Sequence, residues 1–451
     1  MKFVFYISLV WGLTFLLFGN SVLGQQGPTN PTSYSQTTDD LLVDRTTEND
    51  QVPEATAVSL PDLITQAMEH NPEIKSMRRN FDRMRARIPQ AKALPEPTLS
   101  YSYAGNINPF PFFDLQKEDP ASARMLSFTQ EVPFPGKLAL KEKMASVEAD
   151  SEWWNYQQIR LNVIAEMKDA YFEWWYVLKA IQVITKNKDL LEKFTQIAEA
   201  RYAVGKGIQQ DVLKAQVEIS KLIDQLTVLE QRKLTVEARI NSLLFRDPDS
   251  PLGKPQELTH SDFSWTMTQL KETALANFPT IQAQKRKVDR ERYGIQLAQK
   301  EFYPDFSFGF TYFHRPQLPE MYGLTIGVKL PLYFWKKQRP ALTEASASSA
   351  MEEKRLENLT TLLFFKLKER YLAVTTAERL IKLYGTTIIP QATLSLDSAI
   401  AGYEVGKVDF LTLLDNLVTL LNYQLSYYEQ LSAEEKALAA MEPYLGVELT
   451  H

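Results

Sequence analysis

The chain has 451 residues, 44% of them hydrophobic, with 55 acidic against 50 basic side chains for a formal net charge of −5, and no cysteine. The acidic balance argues against a nucleic-acid partner. The missing cysteine excludes disulfides, thiolate metal sites, a cysteine nucleophile and a lipid-bearing N-terminal cysteine. Met1-Lys2 opens an uncharged apolar run from Phe3 to Phe18, followed by the small residues of Ser21-Val22-Leu23-Gly24. That run is short for a membrane-spanning helix, so residues 1–24 read as a signal peptide and export is expected. Residues 25–57, rich in Thr, Ser, Asn, Gln and Pro, read as a flexible leader. No later stretch is apolar enough for a spanning helix, so any membrane entry must be by strands.

The pattern predicts an amphipathic helix over 60–93, ended by Pro95 and Pro97 because proline disfavours helix in the residue before it. Two strands follow, about 98–106 and 124–132. In the first, Leu99, Tyr101 and Tyr103 alternate with Ser100, Ser102 and Ala104. In the second, Leu126, Phe128 and Val132 alternate with Ser127, Thr129 and Glu131, although Gln130 breaks the apolar side. A Pro- and Phe-rich loop over 107–123 joins them. Residues 137–202 then run without a proline, a helix of roughly 100 Å at about 1.5 Å per residue. A turn at 202–208 sends the chain into a return helix over 209–244. There Ala215, Ile219, Leu222, Leu226, Leu229, Val236, Ile240 and Leu243 keep the spacing of a coiled-coil seam. A proline-rich crossover, 247–264, closes the unit.

The plan then starts again. Leu63-Ile-Thr-Gln-Ala67 with Asn71-Pro72-Glu-Ile74 returns 207 residues later as Leu270-Lys-Glu-Thr-Ala274 with Phe278-Pro279-Thr-Ile281. The strands return over about 305–313 and 323–330, where Phe306, Phe308, Phe310 and Tyr312 and then Leu324, Ile326, Val328 and Leu330 occupy one face. Val-Pro133 matches Leu-Pro331 at a shift of 198, and Tyr202-Ala-Val-Gly-Lys206 matches Tyr403-Glu-Val-Gly-Lys407 at 201. The helix over 336–403 should bend at Pro340 and Pro390. Its return, 410–441, repeats the seam through Phe410, Leu414, Leu417, Leu421, Tyr428, Leu431 and Leu438. Residues 58–246 and 265–446 are thus two copies of one helix–strand–strand–helix unit.

Strands with one aromatic and one small polar face, close to about 9–11 residues long, suit a tilted membrane crossing. Four of them cannot close a barrel, and open edges are not tolerated in lipid, so several chains must contribute. Taken together, the paired Ala…(Asn/Phe)-Pro-x-Ile openings, the hairpins ending in Val-Pro or Leu-Pro and the Tyr-x-Val-Gly turns resemble the TolC family of outer-membrane efflux channels. The strongest stretch is Gly402-Tyr-Glu-Val-Gly-Lys-Val-Asp-Phe-Leu-Thr-Leu-Leu-Asp-Asn416. The resemblance implies a mainly α fold with a membrane β-barrel. It implies a homotrimer in the outer membrane of a Gram-negative bacterium, with a shared twelve-stranded barrel on a periplasmic helical tube. It also implies a periplasmic adaptor (membrane fusion protein) and an inner-membrane pump of the resistance–nodulation–division (RND) type as partners. Drugs or metal ions would be the cargo, with a lean towards heavy-metal pumps of the Cus and Czc kind. No catalysis, cofactor or metal site is implied.

By the same resemblance, Asp415 lies at a pore constriction, where three copies would favour cations. Asp211 and Tyr403 form a phenol–carboxylate gating pair between the inner and outer hairpins. Val204-Gly205-Lys206 and Val405-Gly406-Lys407 are tips that meet the adaptor. Val408 stands where the family carries an arginine that links protomers, so that latch is missing, with Lys407 and Asp409 as neighbours that could replace it. Trp153, Trp154, Trp174 and Trp175 read as helix packing or a belt near the barrel base. A type I protein-secretion channel and a non-porous periplasmic coiled-coil scaffold are the competing readings. Four alternating aromatic strands would be without use in a scaffold.

Overall fold

A computed structural model describes residues 57–104, 122–258, 261, 263–315 and 318–450. The expected signal peptide, nearly all of the leader and residues 105–121 of the first strand loop lie outside the described residues. In chain order the elements begin with β1 (Ala57–Val58), α1 (Leu60–His70), α2 (Pro72–Lys92), β2 (Thr98–Ala104), β3 (Ala123–Val132), α3 (Lys137–Ala203) and α4 (Gln209–Leu243). Then come β4 (Lys254–Pro255), α5 (Met267–Asn277), α6 (Pro279–Lys300), β5 (Asp305–His314) and β6 (Met321–Lys329). The chain ends with α7 (Gln338–Leu383), a π-helical turn (Tyr384–Ile388), α8 (Ile389–Glu404) and α9 (Phe410–Leu445).

Each opening helix, expected to be continuous, is two. Pro72 and Pro279 lack the N–H an α-helix needs and push the residue before them out of helical backbone. Asn71 takes φ −59° and ψ 122°, and its side-chain oxygen caps α2 by accepting from the Glu73 and Ile74 amides at 2.9 and 3.3 Å. Phe278 adopts φ −59° and ψ 113° at the equivalent break. The two prolines expected to bend the second long helix sit in different settings. Pro340 sits in the first turn of α7, where its missing N–H has no partner to lose. Pro390 is preceded by the π-helical turn, which rearranges the backbone ladder ahead of it.

The four long strands form one antiparallel sheet in the order β2-β3-β5-β6. Its register carries the alternation across every strand. Leu99, Phe128, Phe310 and Leu324 lie in one row, and Tyr101, Leu126, Tyr312 and Tyr322 in the next. Most of these side chains are exposed, Leu324 at 86%. The other face carries Ser100, Ser127, Thr311 and Gly323 in one row, with a Ser127–Thr311 hydroxyl contact of 3.1 Å. Gln130 belongs to the apolar face, and its amide donates to the Pro95 carbonyl at 2.7 Å, anchoring the chain that enters β2. A separate two-residue parallel ladder joins β1 to β4. Tyr171 holds it, donating to the Val58 carbonyl at 3.1 Å and accepting from the Gln256 amide at 2.8 Å.

Beneath the sheet, α3 packs against α2, α4, α6 and α9, and α7 against α6 and α9. Trp174 and Trp175 are core residues. The Trp174 indole donates to Glu237 at 3.1 Å, and Trp175 meets Tyr428 edge-on at 5.8 Å. Where β3 turns into α3, Gly136 takes φ +94° and Lys137 is buried. Its ammonium donates to Asp305 at 2.8 Å, Glu301 at 3.2 Å and the Tyr303 carbonyl at 3.3 Å. A second buried cation, Lys168, pairs with both oxygens of Glu442 at 2.9 and 2.8 Å. Glu442 also accepts from the Leu449 and Thr450 amides, so one carboxylate ties the chain after α9 to the middle of α3. Removing only the cation leaves a buried charge without its counter-ion, which costs about 3–5 kcal/mol. Lys168→Met is therefore expected to lower thermal stability strongly in a circular-dichroism melt. Adding Glu442→Gln should restore part of the loss, because the neutral amide oxygen still accepts from residues 449 and 450.

Candidate functional site: the helical tips and the acid of the inner hairpin

The two helical hairpins end in turns built the same way. Val204 and Val405 are each 68% exposed, and the following glycines take φ +72° at Gly205 and +75° at Gly406. That left-handed backbone is open to glycine at no steric cost. It lets the Gly205 and Lys206 amides donate back to the Tyr202 and Arg201 carbonyls at 2.9 and 2.8 Å. In the second tip Gly406 and Lys407 donate to Tyr403 and Gly402 at 3.0 and 2.8 Å. Both lysines and both valines thus stand on rigid, exposed corners. Gly402 is required for a second reason, since a Cβ there would meet Val408 Cγ2 at 2.5 Å.

Within the chain the tips are joined by Arg201. Its guanidinium lies 4.5 Å from the centre of the Tyr403 ring and donates to the Glu404 carbonyl at 3.4 Å. Tyr403 is only 6% exposed, with Phe410 edge-on at 5.8 Å on the same ring. Below it, Leu191, Phe194, Ala215, Leu222, Leu396, Leu413 and Leu417 bring α3, α4, α8 and α9 into one core. The expected Asp211–Tyr403 hydrogen bond is not formed among the described residues of the chain. Arg201 covers the Tyr403 ring, and the Asp211 carboxylate instead lies close enough to Asp409 to feel its charge.

Those two carboxylates are held differently. Asp409 caps α9, accepting from the Thr412 amide at 2.9 Å, and that hydrogen bonding to Thr412 lowers its pKa. Asp211, in the first turn of α4, is pushed up, first by burial and then by the Asp409 charge. Asp415 lies on the face of α9 away from the core of Phe410, Leu414 and Leu417, and is exposed. Arg201 and Gly402 had no role assigned from sequence, and Asp409 was named there only as a neighbour that could replace the missing latch. The repeat carried a signal for them, because at the shift of 201 Arg201 falls on Gly402 and Ile208 on Asp409, two of the four points at which residues 201–208 and 402–409 differ.

The sequence profile described as outer membrane efflux protein matches residues 63–244 and again 270–447, one match on each copy of the unit. The chain belongs to that family. Among outer membrane efflux proteins and their structures, the cobalt-zinc-cadmium resistance protein CzcC of Cupriavidus metallidurans is 21% identical over 394 residues, 86% of this chain and 90% of CzcC. The outer membrane protein VceC of Vibrio cholerae superposes with a TM-score of 0.74 at 18% identity, over 86% of this chain and 96% of VceC. The open state of the MtrE outer membrane channel of Neisseria gonorrhoeae gives 0.72 at 16% identity, over 87% and 89%. This efflux protein therefore has the outer-membrane channel fold, a helical tube with a β-barrel, and belongs to a transport family.

The raised Asp211 predicts a pH response with a definite sign. A carboxyl whose pKa is higher in the packed tip binds a proton more readily there than when exposed. Acid therefore favours the packed tip, and the gain is lost as the pH rises through the raised value. Hydrogen exchange at residues 204–211, corrected for intrinsic rate, should slow as the pH falls from neutral into the ordinary carboxylate range, about pH 4. Asp211→Asn should remove most of that dependence.

Proposed function

We propose that this efflux protein works as a homotrimer in the outer membrane of a Gram-negative bacterium, its helices in the periplasm, and passes divalent heavy-metal ions delivered by an RND-type pump and a periplasmic adaptor. The observation that carries this reading is the polarity of the unit. An apolar-faced sheet with two open edges sits at one end of helices whose other end presents paired Val-Gly-Lys corners. The sheet needs lipid and further strands. The corners need neither, and suit a protein partner that reads exposed valine and lysine.

The metal cargo is supported by the likeness to CzcC, whose name records cobalt, zinc and cadmium resistance, and by the charge at the tips. Asp211, Asp409 and Asp415 bring three carboxylates per copy to the same end of α4 and α9. Repeated around a three-fold axis in a narrow, low-dielectric neck, Asp415 attracts cations and repels anions. Arg201 on Tyr403 holds the outer and inner hairpins of one copy together until the adaptor engages, a contact within the copy and distinct from the link between copies that Val408 lacks.

Two measurements test this reading. Asp415→Ala is expected to shift the reversal potential of the reconstituted pore in a salt gradient towards zero, and an unchanged potential would remove Asp415 from the constriction. Gly406→Val forces a β-branched residue into left-handed backbone. It is expected to abolish metal resistance in a strain lacking the gene while the trimer persists in detergent. Full resistance from that variant would exclude the tip as the docking element.

A further inference from the structure

The helix-side ends of the two strand hairpins are not alike. From Pro133 to Lys137, where α3 starts, the first junction takes five residues, and from Pro331 to Gln338, where α7 starts, the second takes eight. The extra length falls on Tyr333-Phe334-Trp335, and Lys336-Lys337 follows at once. From 329 to 343 the chain has no acidic residue, while Lys329, Lys336, Lys337 and Arg339 place four cations there.

At the first junction the aromatic ring is covered from within the chain. Phe134 stacks on Tyr303 at 4.6 Å, and the Lys300 ammonium lies 5.4 and 5.5 Å from the two ring centres. At the second junction the rings meet one another. Trp335 packs edge-on against Phe334 at 5.2 Å and Tyr333 at 6.1 Å, and the Arg339 guanidinium lies 5.3 Å from the Phe334 ring. Tyr333 is still 70% exposed and Trp335 51%. The cluster is nevertheless held in shape. The Lys336 and Lys337 amides donate to the Tyr333 carbonyl at 3.0 and 3.1 Å, and the Arg339 amide to the Phe334 carbonyl at 2.9 Å. Three rings fixed in water forgo the burial that would favour them.

Their position says what replaces the water. Val328, Leu330 and Leu332 carry the exposed apolar face of the sheet past the end of β6 and into the cluster. Below it, α7 begins. The rings therefore stand where hydrocarbon gives way to headgroups, a level that suits tyrosine and tryptophan, and the cations beside them can reach phosphate. A second copy of the chain is a poorer cover. At the shift of 207 Lys300 and Tyr303 correspond to Ala93 and Glu96, so a neighbouring α2 brings neither the cation nor the ring that covers Phe134.

Given the outer-membrane reading above, we propose that Tyr333, Phe334 and Trp335 with Lys336, Lys337 and Arg339 form a binding site for an anionic phospholipid of the periplasmic leaflet. The rings take the upper part of the acyl chains, and the cations take the phosphate. A zwitterionic headgroup fits less well, because its ammonium meets four cations and no carboxylate along this stretch. The site occurs once per chain, since the first junction lacks the added rings.

Trp335 makes the test direct. The full protein is reconstituted into phosphatidylethanolamine vesicles carrying a fixed fraction of acyl-brominated lipid, either phosphatidylglycerol or phosphatidylethanolamine. The Trp335 signal is the difference in fluorescence between the unaltered protein and Trp335→Phe. Brominated phosphatidylglycerol is expected to quench that signal about threefold more, because cations at the surface gather anionic lipid. Lys336→Gln with Lys337→Gln should make the two lipids equal. Equal quenching in the unaltered protein overturns the site, and so does a preference that survives the loss of both lysines. A Trp335 signal that neither lipid quenches overturns it as well, and makes a second copy the cover. Protein that fails to float with the vesicles would instead overturn the outer-membrane reading, and this site with it.

Discussion

A polypeptide in hydrocarbon must satisfy every backbone N–H and C=O from within the protein, because no water is there to do it. The sheet β2-β3-β5-β6 meets that requirement along three internal seams and, among the described residues, leaves it unmet along its two outer edges. Its outward face, with rows such as Leu99, Phe128, Phe310 and Leu324, is nevertheless made for lipid. The sheet thus sets a surface suited to the membrane between two edges that no strand covers among the described residues. The duplicated unit supplies two hairpins of one plan, joined edge to edge at the β3–β5 seam.

The same constraint shapes the junctions between strand and helix. Strands tilted in a barrel must hand over to helices running in another direction, and the chain turns there over a few residues. At the first junction Gly136 supplies the left-handed backbone, while Lys137 is pulled under the turn to meet Asp305, Glu301 and the Tyr303 carbonyl. Buried ion pairs add little net stability, because desolvation offsets most of the attraction. They are unforgiving about geometry, however, and a lysine with three defined acceptors fixes how β3 enters α3 beside β5. Lys168 with Glu442 does the same where α3, α9 and the last described residues meet.

At the far end the demand is the opposite. The tips present their side chains to solvent on short turns. Their exposed valines and lysines stand on glycine turns, and what joins them is one guanidinium over one phenol ring with a long hydrogen bond to a carbonyl. Such a cation–π contact is worth about 0.5–2 kcal/mol, depending on its exposure. That is a small fraction of what the hydrophobic core beneath the tips supplies, so the core of α3, α4, α8 and α9 carries most of the hold between the two hairpins.

The repeat, the strand alternation, the long helices and the glycine tips were legible in the residues, because each depends on spacing along one element. Phe306, Phe308 and Phe310 show their common face by period two alone, and Gly205 with Gly406 announce their turns by lacking a side chain. What depends on two distant segments was not legible. Asn71 and Phe278 end helices that periodicity would have continued, since the proline effect there is decided together with packing. The small β1–β4 ladder exists because Tyr171 reaches both of its sides. The partner of Tyr403 was assigned to Asp211 by resemblance, and only the folded tips put Arg201 over its ring and Asp211 near Asp409. Sequence by itself determined which faces are apolar and that the unit occurs twice, because those are local and periodic properties. Tertiary structure alone decided which charges are buried and what each one meets, because long-range contacts leave no period in the chain.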